Sequence, residues 1–224
     1  APGGLRLAAT PRAPLRRGAN VPRCGLYRGM RDVRVAQTAG AQFNRIARWQ
    51  LGELGLSDWM IEHRVSQGRL VIVEQGVLAV APVLEHDDWG CWMGATLTAP
   101  GSVLSLASAA AARGWSSARR DFETITRAGS GGPRRHGGVL VFRSSTLEGD
   151  CDVLRGIPIT SVPRTLLDLA AHVSTPALAR LVREAVRLKH TTLESLVDRV
   201  GASRGRRGSR RFADALARYP GLPL

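Results

Sequence analysis

The sequence predicts an α+β fold in two parts: three short helices followed by a β-hairpin, and then a small mixed α/β region with a helical C-terminal part. Three observations support this fold class. Apolar residues recur at helical spacing from Val35 to Val65, and two short β-prone runs follow directly. A Pro-bounded acidic stretch, residues 82–89, then separates the two parts. Beyond it, apolar runs of strand length precede three amphipathic helical segments.

Two short helices are predicted first, separated at residues 40–44. Asn44 is a good N-cap residue for the second helix, which would end at Gly55 because glycine readily adopts the left-handed conformation that closes a helix. Ser57 similarly predicts the start of a third helix over residues 58–67. The apolar spacing places three side chains on the buried face of that helix: Met60, Ile61 and Val65.

Two β-prone runs follow the third helix, at residues 70–73 and 77–81, and the three residues between them predict a short hairpin. The order helix, helix, helix, hairpin is that of a winged helix-turn-helix, which we assign to residues 36–82. In that geometry the recognition helix lies in the DNA major groove and its exposed side chains reach base edges, while the wing touches the backbone.

The second part, residues 89–200, is predicted to be a mixed α/β domain. Residues 122–126 and 139–142 have strand-length apolar patterns, and the Gly-rich basic loop between them predicts a second hairpin with a mobile tip. A third strand is predicted at residues 157–160. The predicted helices cover residues 89–97, 102–113, 162–172, 176–189 and 193–200.

The charge pattern concentrates basic residues at the two ends of the chain. The 224 residues include 32 Lys and Arg against 18 Asp and Glu, a net charge of +14 that makes a polyanion the first partner to consider. Residues 1–48 hold ten Arg and one acid, residues 201–224 hold six Arg and one acid, and residues 49–200 hold sixteen of each sign. We therefore expect residues 1–34 to be a disordered basic arm, or an extension from a wrongly assigned start codon.

Residues 201–224 are predicted to be a basic Gly, Ser and Arg linker that ends in a short amphipathic helix. Such a flexible arm could follow a phosphate backbone without reading its sequence, although it could equally be a solvated linker that binds nothing specific. The candidates for nonspecific phosphate contacts are Arg204, Arg206, Arg207, Arg210 and Arg211.

Candidate DNA contacts in the winged helix divide into two groups. Arg45, Arg48 and Arg69 are expected to hold phosphates, and the base-reading candidates on the third helix are His63, Arg64 and Gln67. The same helix exposes carboxylates that repel phosphate, and the acids of residues 49–82 exceed the bases, with Glu53, Asp58, Glu62 and Glu74 against Arg64 and Arg69. The alternative is a scaffold or protein-interaction module with only residual DNA affinity.

The string TSVPRTLLDLA, residues 160–170, is the most distinctive in the chain. Ser161 is expected to cap a helix, Pro163 to lie in its first turn, and Arg164 with Asp168 to form an i,i+4 ion pair. A catalytic Arg and Asp pair is the alternative, but no nucleophile or base accompanies them locally. We therefore expect no enzymatic activity, and neither a metal site nor a cofactor.

Four stretches together resemble a known family. They are NRIARWQLGELGLSDWMIEHRVSQGRLVIVEQGVLAVAP, GSVLSLASAAAARGW, GVLVFRSSTLEGDCDVLRGIPITSVPRTLLDLAA and ALARLVREAVRLKHTTLESL. These resemble the AbiEi-type antitoxins of type IV abortive-infection toxin-antitoxin systems, and more closely the bacterial transcriptional regulators that share their winged helix. The similarity runs from about Arg34 to Arg218. It implies operator binding and autoregulation by the winged helix, and neutralisation of a toxin by an antitoxin-like α/β domain over residues 89–200.

Three functions therefore stand as hypotheses. The first is a cytoplasmic DNA-binding regulator of antitoxin type that autoregulates its operon, with a cognate toxin and a second copy of the chain as candidate partners. Many relatives continue into a very-short-patch-repair-like endonuclease domain, so the second is a truncated accessory remnant of such a nuclease with nonspecific DNA affinity. The third is a protein-only antitoxin whose winged helix is vestigial. Three scattered cysteines and the lack of a long apolar stretch favour the cytoplasm over a membrane or a secreted location.

Overall fold

The computed structural model describes residues 23–83, 87–115 and 121–219, and these form a mixed α/β structure with two separate sheets. The mixed α/β class that the sequence predicts is confirmed. The first part consists of α1 (Arg23–Gly40), β1 (Arg45–Ala47), α2 (Arg48–Glu53), α3 (Asp58–Ser66), β2 (Leu70–Glu74) and β3 (Val77–Val80). No helix among the described residues is both long and apolar enough to cross a membrane.

The first sheet is antiparallel in the order β1-β3-β2, so β3 is central and β2 is an edge strand. Ile46 pairs with Leu78, and both are buried under α1, α2 and α3 together with Ile61. The predicted cap of α3 is confirmed, because the Ser57 hydroxyl accepts a hydrogen bond from the Met60 N–H at 3.4 Å. The two predicted β-prone runs at residues 70–73 and 77–81 are confirmed as β2 and β3.

Two expectations for the first part are wrong. Asn44 does not cap α2: it has a φ of 61°, and its side-chain amide donates to the Val80 carbonyl at 2.6 Å. Residues 45–47 form β1 instead of helix, because pairing with β3 satisfies their backbone groups and overrides local helix propensity. The second correction concerns the expected disordered arm, residues 1–34, since α1 begins at Arg23; residues 1–22 lie outside the described ranges.

The second part begins with α4 (Asp88–Leu97), β4 (Val103–Leu104) and α5 (Leu106–Ala112). It continues with β5 (Glu123–Ala128), β6 (Arg134–His136), β7 (Val139–Ser144), β8 (Cys151–Leu154) and β9 (Ile157–Thr160). These strands form one sheet in the order β6-β7-β5-β4-β9-β8. The predicted third strand is confirmed as β9, and the start of the predicted helix at residues 102–113 is instead β4.

The predicted second hairpin is wrong in its pairing. β5 and β7 are parallel neighbours, with Ile125 opposite Val141, so the chain must cross over between them. The loop that the sequence predicted as a mobile tip contains β6, which pairs antiparallel with β7. The periodicity of a strand does not encode its direction, which depends here on the covering helices and on the buried neighbours Leu104 and Ile159.

The helical end of the chain consists of α6 (Val162–Ala170), α7 (Thr175–Arg187), α8 (Leu193–Ala202) and α9 (Ser209–Leu216). These helices share a buried cluster that includes Leu166, Val182, Leu196 and Phe212, so the predicted helices are confirmed. The expected linker after residue 200 is therefore an ordered connection between α8 and α9, and residues 220–224 lie outside the described ranges.

The two parts pack against each other. Ala47 and Val77 of the first sheet are buried in the same cluster as Trp92 and Met93 of α4. The Trp49 indole N–H also donates to the Leu97 carbonyl at 3.2 Å. The predicted linker, residues 82–89, therefore joins two parts with a common core; residues 84–86 of it are not among those described.

Candidate nucleic-acid interface

The exposed face of α3 is aromatic and acidic. The Trp59 side chain is 70% exposed and stacks on the His63 ring at a centroid distance of 5.3 Å. Gln67 lies 2.9 Å from the same imidazole, so two predicted base readers contact each other at the surface. Asp58 and Glu62 are both exposed beside them. The part of α3 that would enter a DNA groove therefore has little positive charge.

Arg48 is occupied by those two carboxylates. Its guanidinium donates to Asp58 at 3.0 Å and to Glu62 at 2.7 Å. The hydrogen bonds that Arg48 donates to Glu62 and Asp58 raise the pKa of Arg48 above its ordinary value. The Arg48 guanidinium is therefore not free to make the predicted phosphate contact in this structure, because a phosphate would have to replace two carboxylates.

Arg64 does not have the exposed position that was predicted for a base-reading residue. The residue is only 8% exposed, and its guanidinium bonds Asp32 of α1 at 2.6 and 3.2 Å. A third hydrogen bond reaches the Met60 carbonyl at 3.1 Å. Helical spacing alone placed Arg64 beside the exposed positions, but α1 covers that side of α3 and supplies the carboxylate. Arg64 therefore fastens α1 to α3 and does not reach a base edge.

Arg45 is a correction to the predicted phosphate contacts. It is 5% exposed, lies 3.7 Å from Asp87 and donates to the Phe43 carbonyl at 3.2 Å. Gly90 makes room for it, since a Cβ there would lie 2.5 Å from the Arg45 guanidinium. Arg45 thus joins the two parts of the chain. Arg69 remains exposed and makes no side-chain hydrogen bond with a described residue.

A groove of about 300 Å³ lies between the turn that joins β2 to β3 and the second sheet, and we call it the basic groove. Gln75 and Gly76 of the turn form one side of it. The other side includes three arginines and a histidine, and no carboxylate lines the groove: its charged and titratable members are Arg127, Arg134, His136 and Arg143. The groove therefore combines the β2–β3 turn with a positive surface that no carboxylate of its lining offsets.

The strand register explains why these side chains meet. Arg127 of β5 is the direct neighbour of Arg143 on the parallel strand β7, so both side chains lie on one face of the sheet. Like charges in directly opposite positions repel each other, and a bound anion relieves that repulsion. Arg134 lies on the adjacent strand β6, opposite Val141. Sequence reasoning missed this cluster because the count over residues 49–200 is balanced and conceals the local excess.

Glu74, at the end of β2, docks the β2–β3 hairpin at this groove. Its carboxylate accepts a hydrogen bond from the Gly138 N–H at 3.2 Å and from the Gln75 N–H at 2.9 Å. A Cβ at Gly137 or Gly138 would lie within 2.7 Å of the Glu74 carboxylate, so a side chain at either position would displace Glu74 from this contact. The position of the β2–β3 hairpin relative to β6 and β7 is therefore defined by specific contacts.

Arg164 is the centre of a buried polar network. Its Nε donates to both Asp168 oxygens at 2.9 Å, so the predicted ion pair is confirmed. Its Nη1 donates to Asp150 at 3.0 Å and to the Thr146 carbonyl at 2.6 Å, and its Nη2 donates to the Ser144 hydroxyl at 2.9 Å. These bonds join α6 to the chain after β7, which is a structural role.

Two further members of the motif are in the predicted positions. Ser161 is the N-cap residue of α6, although its side chain makes no capping bond and its carbonyl accepts from Thr165. Pro163 lies in the first turn of α6.

The network also affects the Asp150 carboxyl. Burial raises the pKa of Asp150, but hydrogen bonds from Arg199 and Arg164 outweigh this effect and hold that pKa below its ordinary value.

The five arginines of the predicted basic linker divide by environment. Arg211 donates to the carbonyls of Ala170 and Val173, both at 3.0 Å, and so satisfies the C-terminal end of α6. Arg206 is half-buried, whereas Arg204, Arg207 and Arg210 are exposed. The linker is thus folded back on α6, and only part of its charge faces solvent.

Comparisons with known proteins leave the function open. No family model matches the chain, and no curated protein matches it. Among solved structures, the chain is similar to the crystal structure of the RV2827C protein from Mycobacterium tuberculosis, with 21% sequence identity and a TM-score of 0.49. The match covers 84% of this chain and 76% of that chain.

Proposed function

We propose that this chain is a DNA-binding transcriptional regulator of antitoxin type, and that its basic groove makes the main contacts with the DNA backbone. Residues 36–82 would serve as the winged helix. In support, β1 lies between the first two helices and pairs with the hairpin that follows α3, which is the order of elements expected for that motif. An α/β domain that contacts a toxin remains part of the proposal through the family resemblance.

The basic groove is the observation that carries this proposal. A wing contacts the phosphate backbone in winged-helix proteins, and here the wing turn lies beside three arginines with no carboxylate in the lining. Arginine presents a planar fork of donors that suits phosphate oxygens. In that arrangement the acidic face of α3 is held away from the closest phosphates. Arg69, which lies between α3 and β2, would be the only contact from this region to the phosphates. Such a surface supplies affinity, and sequence specificity would depend on Gln67 and His63.

Salt dependence of DNA binding tests the proposal. Fluorescence anisotropy with duplex DNA from the gene's own upstream region, and with random duplex, gives the slope of log K against log salt. Each phosphate contact contributes about 0.9 to that slope. Replacing Arg127→Gln and Arg134→Gln together should therefore lower the magnitude of the slope by about 2 on both duplexes.

The matched control is the double variant Arg180→Gln with Arg183→Gln, which removes two exposed arginines from α7. It should leave the slope unchanged, because net charge alone is screened beyond about 10 Å. Equal slopes for the groove and control variants would refute the proposal that the basic groove contacts the DNA backbone. Failure of the wild-type chain to bind either duplex would refute DNA binding altogether.

A second candidate function is favoured by the surface of α3. The exposed Trp59 between two carboxylates is better suited to a protein partner than to a phosphate backbone. This corresponds to a protein-only antitoxin whose winged helix contacts a toxin. Trp59→Ala should then abolish the rescue of growth when the neighbouring gene product is co-expressed, while DNA affinity is unchanged. Retained rescue would remove this candidate.

A further inference from the structure

A cavity of about 490 Å³ lies where α6, α7 and α9 meet, and we call it the arginine cleft. Its wall is the segment of residues 205–211, together with Ala170 and Ala171 at the end of α6, Thr175 at the start of α7, and Asp214. Its volume is in the range of sites that hold small molecules, roughly 300–1,000 Å³. None of these residues lines the basic groove.

The cleft has a defined shape because two contacts hold its wall against α6. Gly208 has a φ of 89°, and a Cβ there would lie 2.8 Å from the Ala171 nitrogen. Only glycine therefore allows this approach. On the other side of the same turn, Arg211 donates to the Ala170 and Val173 carbonyls. The neighbouring arginines are consequently presented from an ordered segment.

The charges around the cleft do not balance. Three arginines lie near two carboxylates: Arg164, Arg199 and Arg206. Arg164 pairs with both Asp168 and Asp150, and Arg199 also pairs with Asp150. Arg206 is left with one hydrogen bond to a threonine hydroxyl. Burial lowers the pKa of Arg206, and the charges of Arg164 and Arg199 lower it further. Asp168 and Asp150 attract Arg206 at longer range but form no ion pair with it, so a bound anion would supply the direct partner that Arg206 lacks among the described residues.

Arg207 and Arg210 complete the set. Both are exposed, both line the cleft, and neither makes a side-chain hydrogen bond or ion pair with a described residue. The single carboxylate in the lining belongs to Asp214, against four arginines. Since Arg211 is committed to α6, three guanidinium groups remain available at one concave surface.

We propose that the arginine cleft binds a free phosphorylated small molecule, whose phosphoryl oxygens accept hydrogen bonds from Arg206, Arg207 and Arg210. Phosphoryl groups match this site because they offer several acceptor oxygens and can bind more than one guanidinium fork at once. A small ligand is favoured over duplex DNA because the three arginines lie within one five-residue segment, where they can converge on a single phosphoryl group, whereas the arginines of the basic groove lie on three separate strands.

Isothermal titration of the full chain with pyrophosphate, and separately with inorganic phosphate, tests the proposal. The site variant is Arg207→Gln with Arg210→Gln, which leaves the structural contacts of Arg206 and Arg211 in place. The control is Arg204→Gln with Arg218→Gln, which removes two exposed arginines from the C-terminal region that do not line the cleft. Pyrophosphate should bind the wild type and the control alike, and at least about tenfold more weakly to the site variant.

His172 provides a second readout that a merely structural change would not reproduce. It lies beside Arg206 and Arg207 in an adjoining cavity of about 210 Å³. Burial and the charge of Arg207 lower the pKa of His172. Pyrophosphate bound at Arg207 should raise that pKa in the wild type, as followed by NMR of the imidazole, and should leave it unchanged in the site variant.

Two results would overturn the proposal. One is equal weakening of pyrophosphate binding in the site and control variants. The other is no pyrophosphate binding by the wild type; a loss of DNA affinity in the site variant would then assign the cleft to the DNA backbone. This test is independent of the proposed function, because the groove variant Arg127→Gln with Arg134→Gln should bind pyrophosphate like the wild type.

Discussion

Replacement of Arg64 by Met distinguishes its structural role from the base contact that the sequence predicts. The change keeps the apolar stem and removes the guanidinium, which bonds Asp32 twice and the Met60 carbonyl once. Hydrogen bonds that involve a charged group contribute about 1.5–3 kcal/mol each. Both bonds to Asp32 reach one oxygen, and the Asp32 side chain is 40% exposed, so solvent screens part of the attraction. We expect the free energy of unfolding to fall by about 2 kcal/mol.

Urea unfolding followed by tryptophan fluorescence measures this loss, and a double-mutant cycle with Asp32→Asn isolates the pair. The coupling energy should be about 1–2 kcal/mol, because each single change removes the same interaction. Gln67→Ala, at an exposed position just after α3, should change stability by no more than about 0.5 kcal/mol. At temperatures where all variants are folded, Arg64→Met should bind DNA like the wild type. Wild-type stability combined with lost binding to one specific duplex would refute this reasoning and restore Arg64 as a base reader.

Three further predictions concern the C-terminal part. Arg164→Met should lower the free energy of unfolding in urea by about 3–5 kcal/mol, because it leaves the largely buried Asp168 carboxylate without its ion-pair partner and Asp150 with Arg199 alone, whereas Arg187→Met on the exposed face of α7 should leave it unchanged. The folded-state pKa of Asp150 lies below its ordinary value of 3.8. The ionised Asp150 side chain therefore stabilises the folded state above pH 4, and this stabilisation is lost as the pH falls below that value. The stability difference between wild type and Asp150→Asn should therefore shrink in unfolding curves taken from pH 5 to pH 2, and a constant difference would contradict this. Gly208→Ala should lower the melting temperature, since φ is 89° and the new Cβ would meet the Ala171 nitrogen at 2.8 Å; an unchanged value would show that the turn relaxes freely.

The elements that were predicted correctly are those whose signals are local. Ser57 starts α3 because its hydroxyl meets a free N–H three residues later, and that geometry needs nothing outside the segment. The pair Arg164 and Asp168 is similarly set by helical spacing. Asn44 failed for the opposite reason. Its amide bonds the Val80 carbonyl, 36 residues away in sequence, and no local pattern contains that partner.

The candidate interface was predicted less well because it depends on which surfaces become covered. Arg64 and Arg45 belonged to the right segments, but α1 and Asp87 bury them. Arg127 and Arg143 were overlooked because sixteen residues separate them, and their proximity depends on a parallel pairing that the sequence pattern did not indicate. The β2–β3 hairpin itself was predicted, yet the groove beside it required the docking of Glu74 onto the turn at Gly138.

The amino-acid sequence by itself determined the mixed α/β class, the order of most helices and strands, and the positive charge of the chain. Hydrophobic periodicity and capping residues act over a few positions, so they can be recognised without a fold. Only the tertiary structure decided which arginines are buried in ion pairs and which face solvent. The physical reason is that a charge acquires its role from its neighbours in space, and those are brought together by sheet pairing and helix packing between distant segments. The basic groove and the arginine cleft are both products of that assembly.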